Sequence, residues 1–230
     1  MDNINPWGGR GKTVAQEYWD DRYRQKAQLW SGNPNALLVA EVAGMAPGRA
    51  LDLGSGEGGD AVWLAQQGWD VLAVDISPVA LARGAAAARA AGVAGHITWE
   101  QHDLAESFPS GSFDLVSAQF LHSFLELPRR EILYRAARAV KPNGVLLVVG
   151  HAEFPLWASH PRPEVHFDSP EEVLEALAVP PDEWTIVRSD SPRREATGPD
   201  GQRATFVDSV VKVRRHPTTI SDQGSSRSSD

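Results

Sequence analysis

Ala50-Leu-Asp-Leu-Gly-Ser-Gly-Glu-Gly-Gly59, followed by Asp70-Val-Leu-Ala-Val-Asp75, is the stretch that decides the fold. Its apolar runs predict a buried strand, a glycine-rich turn, a helix and a second strand that ends in an acid. Three of the glycines satisfy the pattern G-x-G-x-x-G: Gly54, Gly56 and Gly59. Glycines let the backbone approach a ligand closely, and an acid at Asp75 can accept hydrogen bonds from ribose hydroxyls. The unit therefore predicts a site for a ribose-bearing cofactor.

Asp52 discriminates between the cofactor classes that share this pattern. It lies two residues before Gly54 at the end of an otherwise apolar strand, where an acid is costly to bury without a partner. In a dinucleotide site this position faces pyrophosphate, which a carboxylate repels. S-adenosylmethionine instead presents an ammonium group, which a carboxylate attracts directly or through water or backbone amides. A nicotinamide or flavin site, and a tight turn without a ligand, are the alternatives.

The residues from Leu51 to Gly58 resemble motif I of class I S-adenosylmethionine-dependent methyltransferases. Asp75-Ile-Ser77 resembles the motif after their second strand, where the acid holds ribose and the next apolar residue packs on adenine. The resemblance implies that residues of both motifs bind the cofactor: Asp52, Gly54, Ser55, Gly56, Asp75, Ile76 and Ser77. The expected cofactor is S-adenosyl-L-methionine, and no metal is expected.

Two further strand ends add candidates that the resemblance implies. Asp103 and Leu104 follow the third strand, where the family places an acid on the adenine amino group and a residue that covers the ring. Gln119 follows the fourth strand, beside the expected methionine portion. Asp103 has the alternative of simply capping a loop. The Asp/Asn-Pro-Pro-Tyr/Phe motif of many nucleic-acid amino-methyltransferases is absent, which argues against a base amine as acceptor.

The aromatic N-terminal segment narrows the resemblance to a sub-group. Glu17-Tyr-Trp-Asp-Asp-Arg-Tyr23 and Trp30-Ser-Gly-Asn-Pro-Asn35 resemble the cofactor lid of tellurite-resistance and thiopurine-type small-molecule methyltransferases. The sequence of residues 58–71 also resembles that of the same sub-group. The resemblance implies that Tyr23 and Trp30 contact the cofactor, although aromatic residues at helical spacing also occur as ordinary packing.

Alternation of strands and helices predicts an α/β fold, a Rossmann-like doubly wound sheet. Five parallel strands are expected at residues 50–53, 71–75, 97–102, 113–119 and 145–151. Helices are expected at residues 14–29, 34–44, 59–67, 78–91, 129–140 and 170–178. An antiparallel pair is expected at Thr185–Ser189 and Thr205–Arg214. With the family resemblance, this implies seven strands, mostly parallel, with an antiparallel last strand beside the fifth.

The 230 residues accommodate one such domain with tails. We expect a flexible tail at residues 1–13, a methyltransferase domain at 14–215 with a helical lid at 14–44, and a disordered tail at 216–230. The chain has no cysteine, no signal-peptide pattern and no long apolar run, so we expect a cytoplasmic protein without a membrane partner. The net charge of −8 argues against a nucleic-acid partner. The oligomeric state stays open.

Methyl transfer is an in-line displacement, so the protein needs only to align, desolvate and sometimes deprotonate the acceptor. His122 after strand four and His151 at the end of strand five are the candidate catalytic bases, with a structural role as the alternative. The loop after strand five, which contains Trp157, His160 and His166, is expected to shape the acceptor pocket. The histidines lack the helical spacing of a metal site.

The sequence predicts S-adenosylmethionine-dependent methyl transfer to a small-molecule thiol, hydroxyl or amine. A protein or RNA methyltransferase, a non-catalytic S-adenosylmethionine-binding module and an oxidoreductase on a true dinucleotide site are the alternatives.

Overall fold

A single mixed sheet organises the chain in a computed structural model, which describes residues 12–123, 125–153, 166–197 and 203–218. The strands are β1 Arg49–Leu53, β2 Asp70–Asp75, β3 Ile97–Gln101, β4 Phe113–Gln119, β5 Val140–Glu153, β6 Trp184–Asp190, β7 Arg193–Thr197 and β8 Arg203–Arg215. The helices are α1 Val14–Arg24, α2 Ala36–Val42, α3 Gly59–Gln66, α4 Pro78–Ala90, α5 Arg129–Arg138 and α6 Pro170–Leu177.

The main sheet has the strand order β3-β2-β1-β4-β5-β8-β6. The first five strands of the chain are mutually parallel, and β8 runs antiparallel to both β5 and β6. The predicted Rossmann-like sheet of seven strands with an antiparallel last strand is therefore confirmed. Strand order reverses between β1 and β4, and ligands of such sheets bind at the carboxyl ends beside this switch point.

An eighth strand, β7, was not predicted. It pairs antiparallel with β8, from Arg193 opposite Val207 to Thr197 opposite Arg203, outside the main strand order. Its sequence, Arg-Arg-Glu-Ala-Thr, has no apolar alternation, so it gives no strand signal of its own. The strand forms because β8 extends beyond the sheet and offers it a partner.

Side chains of the parallel strands alternate between two apolar clusters, one on each face of the sheet. On one face Leu51 and Leu53 of β1 pack with α5 and α6. On the other face Ala50 packs with α2, α3 and α4. This two-sided burial explains why these strands read as continuous apolar runs.

Several helix ends follow their local sequence signals. The Ser77 hydroxyl accepts a hydrogen bond from the Ala80 amide and Pro78 occupies the first turn of α4, while Ser169 and Glu172 form a capping box on α6. The first helix ends at Arg24 and is therefore shorter than the predicted range 14–29. Beyond it, other parts of the chain bind the backbone groups that a longer helix would pair.

The sequence Pro142-Asn-Gly144 lies inside β5. The register with β4 jumps there, since Phe113 pairs with Val140 whereas Leu115 pairs with Val145, and Asn143 has a φ of 65°. The fifth strand therefore begins earlier than residue 145 and carries an irregular turn near its start.

No helix in the described ranges has the length and apolar character needed to cross a bilayer. Residues 1–11 and 219–230 of the two expected tails, and Trp157 and His160 of the loop after β5, lie outside the described residues.

Candidate active site

A cavity of about 870 Å³ lies at the carboxyl ends of the central strands and extends under α1 and the segment that follows it. Twelve of the fourteen predicted site residues line it: Tyr23, Trp30, Gly54, Ser55, Gly56, Asp75, Ile76, Asp103, Leu104, Gln119, His122 and His151. Asp52 and Ser77 are buried and do not line it. The residues chosen from distant parts of the sequence are thus brought together around one space.

The glycine loop needs its glycines for both conformation and space. Gly54 has a φ of 71° and Gly56 a φ of 53°, in the region that L side chains rarely adopt. A Cβ at Gly54 would lie 2.7 Å from Leu121 Cδ1, and one at Gly56 would lie 3.1 Å from the Tyr23 hydroxyl oxygen. The bare backbone therefore forms a cradle over which the neighbouring side chains close.

Asp75 ends β2 with its carboxylate against this loop. Its two oxygens each accept a backbone hydrogen bond of 2.9 Å, from the amides of Gly56 and Ser77. Burial raises the pKa of Asp75 to about 6 despite these hydrogen bonds. A carboxylate has about four acceptor sites, so Asp75 keeps capacity for two ribose hydroxyls.

Asp52 lies beneath the loop, with only 2% of its surface exposed. Burial, and then the charges of Asp60 and Asp75, raise the pKa of Asp52 well above its usual range. Asp60 lines the cavity, accepts a 2.6 Å hydrogen bond from the Asn35 amide, and has a pKa raised by burial to about 6. Three crowded acids make this end of the cavity favourable for a cationic ligand.

Three buried polar side-chain atoms around the cradle have no hydrogen-bond partner within the described ranges: Asp52 Oδ2, Ser55 Oγ and Gln119 Oε1. Buried polar groups are nearly always paired, so atoms of this kind call for a ligand or water. A polar, cationic, ribose-bearing molecule matches both these atoms and the acids. The residues present therefore fit S-adenosylmethionine.

Segment 25–35 after α1 is tied to the glycine loop by a clasp formed by Glu57 and Arg83. The Glu57 carboxylate accepts hydrogen bonds of 2.9 Å from the amides of Leu29 and Trp30. Arg83 donates to Glu57 at 2.7 Å, and to the carbonyls of Tyr23 and Lys26 at 2.8 Å each. Sequence reasoning missed both clasp residues, because their partners are backbone groups distant in the sequence.

α1 is held over the second motif by a buried contact. The Ser77 hydroxyl donates to the Asp20 carboxylate at 2.6 Å. The indole nitrogen of Trp30 donates to the Tyr23 hydroxyl at 3.2 Å, and burial raises the pKa of Tyr23, so this phenol stays neutral. Asp103 meets the start of α1, where its Oδ2 accepts a 3.1 Å hydrogen bond from Thr13. The N-terminal segment therefore closes one side of the cavity.

The far end of the cavity contains the two candidate histidines. Nε2 of His122 accepts a 3.2 Å hydrogen bond from the backbone amide of His151. Burial, then the charges of Arg129 and His151, lower the pKa of His122 to about 3. His122 is therefore a neutral imidazole whose proton is on Nδ1.

His151 is oriented by an acid that the sequence did not reveal. Its Nδ1 lies 3.3 Å from Oδ1 of Asp208, which is 1% exposed. Although burial acts to raise it, hydrogen bonds from His151 and Arg194 hold the pKa of Asp208 below its usual range. Arg194 Nε donates to Asp208 Oδ2 at 2.5 Å. A His–Asp pair of this kind can move a proton. The pair forms because β8 brings Asp208, and β7 brings Arg194, to this end of the cavity.

His166 does not line the cavity, and its side chain is 70% exposed. Its ring, Asp168 and Glu172 bring ligand atoms within 4.8 Å of one another. Asp168 also forms an ion pair with Arg129, and Glu172 caps α6, so these acids already have structural partners.

Comparison with known proteins gives matches for the centre of the chain. The family model of a methyltransferase domain matches residues 50–144. A curated relative, the ribosomal RNA small subunit methyltransferase C of Alcanivorax borkumensis, is 30% identical over 127 residues. That match covers 53% of this chain and 38% of the relative, so the chain spans well under half the length of that relative.

Solved structures resemble a larger part of the chain. One, from work on the conversion of a disulfide bond into a thioacetal group in echinomycin biosynthesis, has 25% identity and a TM-score of 0.67 over 89% of this chain and 94% of the other. TehB from Haemophilus influenzae has 19% identity and a TM-score of 0.63 over 88% and 67%. Magnesium protoporphyrin IX methyltransferase from Synechocystis PCC 6803, with bound SAH, has 18% identity and a TM-score of 0.61 over 88% and 98%. The chain therefore has the fold of the class I methyltransferases.

Proposed function

We propose that the protein uses S-adenosylmethionine to methylate a small molecule at a thiol, hydroxyl or amine. The observation that carries the proposal is the continuity of the cavity, which joins the glycine loop at one end to the His151–Asp208 pair at the other. Cofactor contacts and a proton acceptor thus share one space beneath the N-terminal segment. An acceptor of small size fits this space.

When bound, S-adenosylmethionine supplies a methyl group on a positively charged sulfur, which the acceptor atom displaces in line. Asp75 would hold the ribose, Asp103 and Leu104 the adenine, and Gln119 the methionine portion. Asp52, from beneath the loop, would attract the ammonium group. Tyr23, which is 3% exposed, and Trp30, which is 48% exposed, would contact the bound cofactor above the loop.

His151 is the proposed general base. Its Nδ1 lies 3.3 Å from the Asp208 carboxylate, which orients the imidazole at the acceptor end of the cavity. His122, a second candidate from the sequence, is a weak base because burial lowers its pKa to about 3. We assign it a positioning role, since its Nε2 accepts from the backbone of His151.

RNA is the second candidate acceptor, because the curated relative is a ribosomal RNA methyltransferase. The net charge of −8 and the covered cavity favour a small molecule. The same proposal includes three further expectations: a resemblance to tellurite-resistance and thiopurine-type enzymes, the domain limits 14–215, and a cytoplasmic location. The similar fold of TehB supports the first of these.

The test is a product screen with purified protein and S-adenosylmethionine against thiols, phenols, amines, carboxylates and ribosomal RNA, followed by mass spectrometry. We expect methylation of at least one small-molecule class. Methylation of RNA alone would replace the proposal by its second candidate. Binding of S-adenosylhomocysteine without turnover of any acceptor would indicate a non-catalytic module, and calorimetric binding of NAD in its place would indicate an oxidoreductase.

A further inference from the structure

We propose that the acceptor is an aromatic compound that is methylated on a ring hydroxyl, an inference that rests on the proposed small-molecule methyl transfer. The acceptor end of the cavity is walled by four rings, here called the aromatic wall: Phe120, His122, His151 and Phe167. They come from the end of β4, from β5 and from the segment before α6. No short sequence motif contains them.

The four rings form one connected surface. The centroids of Phe120 and His151 lie 4.5 Å apart, and His122 stacks on His151 at 5.8 Å with an interplanar angle of 13°. Phe167 stands perpendicular to both histidines, at 5.3 Å from His122 and 6.1 Å from His151. Aromatic rings prefer such offset and edge-to-face contacts, so a planar ring finds matching partners here.

Backbone strain at Phe120 points to a function for its ring. Phe120 has a φ of 50°, a conformation that is rare for a bulky residue and that glycine or asparagine would adopt more easily. Its amide donates to the Val149 carbonyl at 2.7 Å, and its carbonyl accepts from the His122 amide at 2.8 Å. These hydrogen bonds hold the strained turn, and the turn brings the Phe120 ring against His151 beside the cavity. A large ring at a position that disfavours it indicates selection for the ring.

The His151–Asp208 pair favours a hydroxyl among the acceptor groups. Thiols have pKa values near ~8.5 and are partly ionised at neutral pH, whereas phenols lie near ~10 and gain more from a base. In the reaction the ring oxygen forms a bond to the methyl carbon and the carbon–sulfur bond breaks. Sulfur keeps that electron pair, and the hydroxyl proton passes to His151. The cationic Arg194 at the same end is already paired with Asp208, so the wall offers a planar surface rather than a site for an acidic group.

The experiment compares acceptors that differ in one property: 2-naphthol, its saturated ring alcohol, naphthalene-2-thiol, and an aliphatic thiol and amine. Methyl products are measured by mass spectrometry, and binding to the protein loaded with S-adenosylhomocysteine is measured by calorimetry. We expect 2-naphthol to bind and to be methylated on oxygen, with kcat/KM at least tenfold above that of the saturated alcohol.

Variants connect this preference to the aromatic wall. Phe120→Leu and Phe167→Leu each keep an apolar side chain, and we expect both to raise the naphthol dissociation constant about tenfold while leaving that of S-adenosylhomocysteine unchanged. Tyr134→Leu removes a 40% exposed ring on α5 that does not line the cavity, and it serves as the control. The Phe167 variant covers the case in which Phe120→Leu does not fold.

Three results would overturn the inference while leaving the proposed function intact: methylation of aliphatic acceptors without binding of 2-naphthol, S-methylation of the aromatic thiol without O-methylation, or equal naphthol affinity in the wall variants and the control. Absence of methylation of every acceptor, with S-adenosylhomocysteine still bound, would instead refute the proposed function on which the inference rests.

Discussion

The two ends of the cavity are built in different ways. At the cofactor end, Asp75 and the glycine loop are close in sequence, and backbone amides of the same motifs hold the acid at 2.9 Å. At the acceptor end, His151 of β5 faces Asp208 of β8, and Arg194 of β7 holds Asp208 in place. The first end is local in sequence, whereas the second depends on strand pairing across more than 50 residues.

This difference implies different responses to substitution. A side chain at the cofactor end contacts the part of the ligand that does not react, so its loss lowers affinity. A side chain at the acceptor end acts on the reacting group, so its loss lowers turnover. Measurements that separate cofactor affinity from kcat therefore test whether the two ends have separate tasks.

The largest effect is expected for His151→Gln at the acceptor end. Removing a general base lowers kcat by about 10²-fold or more, while the affinity for S-adenosylhomocysteine stays the same. Steady-state kinetics at saturating cofactor, together with calorimetry, measure the two quantities. His122→Gln is the matched control and should lose less activity. Equal activity of both variants and the unsubstituted protein would mean that alignment alone drives the reaction.

The next effect is expected at the cofactor end. Asp75→Ala should weaken binding of S-adenosylmethionine by about 1.5–3 kcal/mol, because it removes charged hydrogen bonds to the ribose. Asp70→Ala is the control, since Asp70 begins the same strand and is 73% exposed. Calorimetric titration of both variants gives the difference, and unchanged affinity in Asp75→Ala would contradict the ribose role.

The sequence alone could bring the candidate residues of the cofactor end to one place, because short motifs carry them. Gly54, Gly56 and Asp75 are fixed by a strand-turn-helix unit whose backbone angles and apolar periodicity can be read locally. The parallel sheet and the antiparallel closing strand followed from the same patterns and the family resemblance. Of the seven candidates in the two motifs, all but Asp52 and Ser77 line the cavity.

The acceptor end and the clasp were not predictable in the same way. Asp208 lies in a strand that mixes polar and apolar residues, and it is one of many acids in the sequence. Only the pairing of β5 with β8 brings it to His151. Glu57 is inside the glycine motif, but its carboxylate accepts hydrogen bonds from the backbone amides of Leu29 and Trp30 in segment 25–35. The early end of α1 has the same origin, since Arg83 binds the carbonyls of Tyr23 in its last turn and of Lys26 just after it.

A smaller effect is expected for the clasp. It tests the comparison between the two ends of the cavity, because the clasp acts on the cofactor end indirectly, through segment 25–35. Glu57→Gln weakens the hydrogen bonds to the amides of Leu29 and Trp30 and removes the ion pair with Arg83. We expect about a fivefold loss in S-adenosylmethionine affinity, from roughly 1 kcal/mol. Hydrogen exchange of residues 25–30 should become faster, whereas Glu131→Gln, at a 54% exposed position of α5, should change neither quantity. Unchanged exchange in Glu57→Gln would show that the clasp does not hold the segment.

The smallest effect is a pH dependence that belongs to the cofactor end alone. The pKa of Asp60 is raised from its usual 3.8 to about 6 in the folded protein. The folded state therefore binds more protons than the unfolded state between these values, and the stability contribution of this group falls as pH rises through that window and is constant above it. Asp114 and Glu41 have lowered pKa values and the opposite sign, so the informative quantity is the difference in free energy of unfolding between Asp60→Asn and the unsubstituted protein. Without cofactor, this difference should shift in favour of Asp60→Asn as pH rises from 4 to 6.

Cofactor affinity should fall below pH 6 in the unsubstituted protein, because protonation removes charge that attracts the ammonium group, and it should fall less in Asp60→Asn. A parallel pH profile in the two proteins would show that Asp60 does not titrate in this range, and would leave Asp52 and Asp75 as the acids that recognise the cofactor.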